Sequence, residues 1–170
     1  MQKLYFVRHG QSQANIDKVF AGHLDTPLTA LGRQQAKAAG AQAALLSIDH
    51  IVSSPLVRAH ETAIIMAQEI GFPADNVELN SLLMERNYGS LQGKPWDIDM
   101  DMDGIVDIET VDSILERARL AYEHLQALPY GTILVVSHGT FAQALRSVID
   151  PTRPFKEDNE FINAKVVKLV

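Results

Sequence analysis

Four short, near-continuous apolar runs constrain the fold of this 170-residue chain more than any other feature. Residues 4–7, 50–53, 132–137 and 165–170 are rich in β-branched and aromatic side chains and too brief to be independent helices. Runs without polar alternation suit strands covered on both faces, and such strands are parallel and joined by crossover helices. The intervening stretches agree. Thr29 is placed to cap a helix through Ser47, rich in Ala and Gln. Leu56, Ala59, Ala63, Met66 and Ile70 recur at spacings of three and four, then stop at Gly71 and Pro73. Val111, Ile114, Ala118, Ala121, Leu125 and Leu128 repeat the pattern up to Pro129. Phe141, Leu145 and Val148 mark a last helix that halts at Asp150-Pro151. The expected architecture is α/β: a three-layer sandwich with a mostly parallel central sheet flanked by helices. With no internal repeat or low-complexity linker, residues 1–170 read as one domain, broken by a short acidic excursion at about 93–112.

Charge narrows the function classes. The net charge of −6 argues against a general nucleic-acid binder. It is unevenly placed: Asp97, Asp99, Asp101, Asp103, Asp107, Glu109 and Asp112 contribute seven acids, and without them the balance is −6 + 7 = +1. An anion site elsewhere in the molecule is therefore electrostatically reasonable. No apolar run approaches the ~18 residues of a membrane span, and the opening residues lack a leader pattern, which favours the cytoplasm. The chain has no cysteine, so disulfides, thiolate metal sites and cysteine nucleophiles are excluded.

Polar residues stand where those strands should end. Arg8-His9-Gly10 follows the first run, Arg58 lies just past Ser53-Ser54-Pro55, and His138-Gly139 follows the third. In open α/β sheets, ligands bind beyond the carboxyl ends of strands, where helix N-termini also present N–H groups to anions. A histidine after a strand is more often a loop residue than a catalyst. Two His-Gly pairs, each closing an apolar strand and accompanied by arginines, point to one anionic pocket. Gly10 is expected to permit a turn and the close approach of a ligand.

These residues also resemble a known family. Arg8-His9-Gly10-Gln11-Ser12-Gln13-Ala14-Asn15, continuing through Phe20-Ala21-Gly22 and Asp25-Thr26-Pro27-Leu28-Thr29, is similar to the opening motif of the histidine phosphatase superfamily. That group includes the cofactor-dependent phosphoglycerate mutases. The segments 53–63, 83–93 and 136–139 resemble its second arginine, acidic and second histidine motifs, in family order. The resemblance implies that His9 is a nucleophile that becomes phosphohistidine, with Arg8, Arg58 and His138 clamping the phosphoryl oxygens. For attack, one ring nitrogen of His9 must be neutral while the other donates to a fixed acceptor. His138 is expected to be cationic when phosphate is bound. Glu85 would be the general acid and base, with a pKa raised by burial or anionic neighbours. Asn15, Gly22, Tyr88 and Gly139 would meet the phosphate or substrate, and His23 would line the entrance. His50, His60 and His124 read as structural or surface residues. The implied partner is a small phosphorylated metabolite, with no cofactor or metal needed, and the choice between monomer and homodimer stays open.

The excursion separates two activities. A mutase must hold a second phosphate, yet no basic residue lies between Lys94 and Arg117. The expectation is therefore a phosphatase acting on small phosphomonoesters, with mutase-type transfer as the alternative and a non-catalytic, phosphate-dependent regulator as a third reading. Arg117 and Arg119 are expected to form solvated pairs with Glu116 and Glu123. Asp99, Asp101, Asp103 and Asp107 occupy calcium-loop positions, but Thr110 stands where the bidentate glutamate belongs, so an acidic, solvated loop is the preferred reading. Such a loop should favour esters whose alcohol part is neutral or cationic.

Overall fold

The computed structural model describes residues 2–96, 102–158 and 160–170. Along the chain run β1 (Lys3–Arg8), α1 (Gln13–Asp17), α2 (Ala30–Ala43), β2 (His50–Ser53), α3 (Val57–Ile70), β3 (Glu78–Leu79), α4 (Val111–Ala127), β4 (Thr132–Ser137), α5 (Gly139–Ile149) and β5 (Val166–Lys168). The strands form one sheet in the order β3-β2-β4-β1-β5, parallel except for β5. β2 and β4 are buried at every position, as the apolar runs required. One face of the sheet packs with α4 and α5 through Phe6, Ile114, Ala118, Leu125, Phe141 and Leu145. The other packs with α2 and α3 through Val7, Ala39, Ala59, Ala63, Met66 and Val136.

Local sequence explains most element ends. Thr29 caps α2 by accepting from the Gly32 amide, Thr110 caps α4 by accepting from Ser113, and Gly71 closes α3 in the left-handed region at φ 78°. The position that a calcium loop would give to glutamate thus holds a helix cap. Small residues on α2 let α3 approach: a Cβ on Gly40 would lie 2.7 Å from the Glu69 Cβ. Two sequence expectations shift, and α1 and β3 were not expected. α2 ends at Ala43 and continues to Leu46 only as a 3₁₀ turn. The last strand is Val166–Lys168, shorter than the 165–170 run. β3 has two residues and no apolar run to announce it.

Register is what builds the site. In the β1–β4 ladder Arg8 is paired with Ser137, so the next residues, His9 and His138, leave the sheet side by side. The β2–β4 ladder sets Ser53 against Val136, which brings Ser54 and the start of α3 to the same end.

Candidate active site

The imidazoles of His9 and His138 lie with centroids 5.2 Å apart, and the residues are 3% and 0% exposed. His9 Nδ1 is 2.7 Å from the Gly10 carbonyl, an acceptor only, so that nitrogen carries the proton and Nε2 keeps a lone pair. Arg58 Nε donates to that lone pair at 3.3 Å. Burial, followed by the charges of Arg58 and Arg8, holds the His9 pKa well below the ordinary histidine value. A neutral ring with a fixed tautomer is what nucleophilic attack on phosphorus asks for. Asn163 Nδ2 donates to the His9 carbonyl at 2.9 Å and fixes the backbone behind the ring.

Arg58 is 1% exposed on the first turn of α3. Its Nη1 and Nη2 donate to the carbonyls of Leu24 at 2.8 Å and Gly22 at 2.7 Å. Three of its five N–H groups are thus engaged, and two are left for a ligand. Burial lowers its pKa to about 10, so it remains a cation at neutral pH. Arg8 Nη1 donates to the Phe161 carbonyl at 3.0 Å, while its buried Nε has no protein partner. His138 Nε2 lies 2.8 Å from Ser54 Oγ. Burial and then Arg58, His9 and Arg8 push its pKa well below the usual value, so His138 is neutral in the ligand-free protein.

Glu85 sits at the N-terminus of α5. Oε1 accepts from the amides of Arg86 and Phe141, both at 2.9 Å, and Oε2 from Thr140 at 3.2 Å. The amides at this helix start, expected to be open to a ligand, are taken by Glu85 instead. α3 behaves alike, with the Val57 amide donating to Asp25 Oδ1 at 3.0 Å. The donors to the Glu85 carboxylate are backbone amides of Arg86, Thr140 and Phe141.

A cleft joins these groups. Arg8, His9, Arg58, Glu85, Asn15, Gly22, Tyr88 and Gly139 all line it, whereas His138 and His23 do not. His138 stands behind His9, the two rings tilted by 60° to each other. Asn15 Oδ1 accepts from the Ser12 amide at 2.9 Å, which leaves the Asn15 NH₂ to face the cleft. Tyr88 hydrogen-bonds Thr140 at 2.8 Å, and burial raises its phenol pKa. Gly139 lets Arg8 lie flat over the start of α5: a Cβ there would be 3.4 Å from the guanidinium carbon.

Some expectations change. Gly10 serves packing rather than ligand approach, since a Cβ on it would stand 2.3 Å from the Gly32 carbonyl oxygen. His23 does not line the entrance to this cleft; its Nε2 bonds the Glu85 carbonyl at 2.8 Å. Arg119 does pair with Glu116 and Glu123 in solvent. Arg117 does not: it binds Glu109 at 2.8 Å and the carbonyls of Leu82 at 2.8 Å and Met84 at 2.6 Å, beneath the Glu85 segment. His50 and His124 share Glu78, at 2.9 and 2.6 Å, as structural residues would. Asp99 and Asp101 of the calcium alternative, and the side chain of Asp103, lie outside the described residues; the Asp107 carboxylate accepts from the Ser90 amide at 2.8 Å. Sequence reasoning missed Ser54, Trp96, Asp158, Phe161 and Asn163. Ser54 lay inside a quoted motif, whereas Asp158, Phe161 and Asn163 come from a stretch with no periodicity.

Comparisons with known proteins converge. The family model for the histidine phosphatase superfamily (branch 1) matches residues 4–169. A relative from Escherichia coli O1:K1, named probable phosphoglycerate mutase GpmB, is 38% identical over 161 residues, covering 88% of this chain and 75% of its own. Two solved structures share the fold. Mycobacterial hydrolase 1 superposes with a TM-score of 0.82 at 26% identity, covering 99% of this chain and 88% of that one. The native mycobacterial glucosyl-3-phosphoglycerate phosphatase gives 0.74 at 27% identity, covering 87% and 79%.

Proposed function

This chain belongs to the histidine phosphatase superfamily, and on that premise we propose that it is a phosphomonoesterase working through phosphohistidine on His9. The observation that carries the reading is the His9 tautomer: Nδ1 bound to the Gly10 carbonyl, with Nε2 unprotonated beside Arg58 in the wall of the cleft. Nε2 attacks phosphorus in line, forming an N–P bond as the ester P–O bond breaks. Arg8 and Arg58 spread over the equatorial oxygens with planar donor forks, and the orphaned Arg8 Nε gains a partner. His138, neutral without ligand, takes up a proton as the phosphoryl dianion arrives. Glu85 gives a proton to the departing alkoxide. It then takes one from water, whose oxygen displaces Nε2 and releases phosphate. Positioning and charge stabilisation supply most of such a barrier reduction.

Hydrolysis is favoured over transfer because a second phosphate finds little to hold it. Arg8 and Arg58 are the cations lining the hollow among the described residues, and residues 97–101 contain only acidic and apolar side chains. The name borne by the Escherichia coli relative supports transfer to a second alcohol as the competing reading. Phosphate release from phenyl phosphate, with His9→Ala as control, tests the first reading. Release by the intact protein and not by His9→Ala is expected; no release by either would sink it. Incubation with 3-phosphoglycerate tests the second, through formation of the 2-isomer.

A further inference from the structure

Beyond the phosphate hollow the cleft widens into an outer chamber of different chemistry. Phe20, Tyr88 and Trp96 line both compartments, and Met102, Glu157 and Asp158 extend the outer wall. Phe20 and Tyr88 pack at 4.9 Å between centroids, while Trp96, 43% exposed, offers an indole to the mouth. The two carboxylates are not equivalent. Glu157 is neutralised by Arg86 at 2.5 Å, and Arg86 is held in turn by the Glu109 carbonyl at 2.8 Å. Asp158 Oδ1 accepts from the Gln143 amide and from the Glu160 backbone N–H, both neutral donors. Among the described residues Asp158 forms no ion pair, yet it lines the phosphate hollow as well as the outer chamber.

A phosphoryl dianion is met by Arg8, Arg58 and, once protonated, His138, and none of these forms an ion pair with Asp158 among the described residues. A ligand with a second phosphate or a carboxylate in its alcohol part would be repelled by the Asp158 carboxylate, an exposed charge whose effect salt screens. A ligand with an ammonium group would neutralise it, and the Trp96 ring adds a favourable face for the same cation.

Building on the phosphatase reading, we propose that the substrates are phosphomonoesters of amino alcohols, the protonated amine facing Asp158 and an adjoining apolar or aromatic portion resting on Phe20 and Trp96. Asp158 is then the residue that sets specificity, at a position the four sequence motifs do not include.

Three esters of matched shape test this: phenyl phosphate, para-(aminomethyl)phenyl phosphate and para-carboxyphenyl phosphate. At constant low ionic strength the aminomethyl ester should exceed the carboxy ester in kcat/KM by roughly tenfold or more, with phenyl phosphate between them. Asp158→Asn keeps an amide oxygen for Gln143 and Glu160, and should bring that ratio to within about threefold of unity. Raised salt should shrink the ratio of the intact protein and leave that of Asp158→Asn almost constant. A ratio near one in the intact protein, or one that survives in Asp158→Asn, would overturn the proposal. If none of the three esters is hydrolysed, it is the phosphatase reading that has failed. The selectivity is then read by calorimetric binding of the same esters, and any order other than aminomethyl, phenyl, carboxy overturns it.

Discussion

The phosphate end of the cleft and its outer rim are built by different means. At the phosphate end, His9 and His138 are placed by the pairing of Arg8 with Ser137, and Arg58 by the short step from β2 into α3. Their errors of position are errors of register, which two buried sheet faces forbid. At the rim, Asp158, Phe161 and Asn163 arrive from a segment with no strand or helix of its own, tied down by Gln143, Arg8 and the His9 carbonyl. The lesson is a division of labour. His9 and His138 are set by the sheet, whereas on the proposed reading substrate choice lies with loops that side chains hold in place.

That division predicts a ranking. The largest effect should come from Arg58→Lys, although charge is retained. A lysine cannot bridge the Gly22 and Leu24 carbonyls and His9 together, so kcat/KM for an aryl phosphate should fall by roughly 10²–10³-fold. A fall of only a few-fold would mean that the planar fork is dispensable.

The second effect is on stability. His9 and His138 both have pKa values depressed by burial, so the unfolded chain binds more protons as the pH drops below their unfolded value of about 6.5. Their contribution is intact above that pH and is lost as pH falls toward the folded values. Urea midpoints for the ligand-free protein should decline between about pH 6.5 and 5, by up to ~1.4 kcal/mol per unit for each histidine. Saturating phosphate, which favours a cationic His138, should flatten the decline. A flat profile without ligand would contradict the buried, neutral pair.

Third, Gly10→Ala should cost about 1–3 kcal/mol, because the new methyl meets the backbone of Gly32 rather than a movable side chain. The smallest and sharpest contrast lies within one helix. Arg117→Ala strips partners from the carbonyls of Leu82 and Met84 and should cost about 1–3 kcal/mol in chemical denaturation. Arg119→Ala, two residues on, removes only exposed pairs and should leave both midpoint and activity unchanged. Equal effects from the two would erase the distinction between ties to backbone and ties to solvent.

The same division explains what the sequence could reveal. Four of the five strands were legible because each is a short apolar run, buried throughout in β2 and β4; Glu78-Leu79 carries too little pattern to be seen. His9, Arg58 and His138 were legible because they follow those runs directly, and Glu85 through its motif. The partners of these residues were not. That Glu85 would take the α5 amides, or that Arg117 would reach the Leu82 carbonyl 35 positions away, depends on tertiary placement that no local spacing encodes. Asp158 was hidden for the same reason, since an aspartate in an aperiodic stretch looks like any solvated residue until the chain folds over the cleft.

The central claim is that phosphate passes onto His9 and that water removes it. Rapid mixing with an aryl phosphate, alkaline quench and peptide mass spectrometry address it directly, with 3-phosphoglycerate present as a competing acceptor. The account predicts a phosphoryl group on the peptide bearing His9, decaying at the rate at which free phosphate appears and leaving the phosphoglycerate unphosphorylated. Turnover with no phosphorylated His9, or a phosphoryl group passing from His9 to the phosphoglycerate, would contradict it.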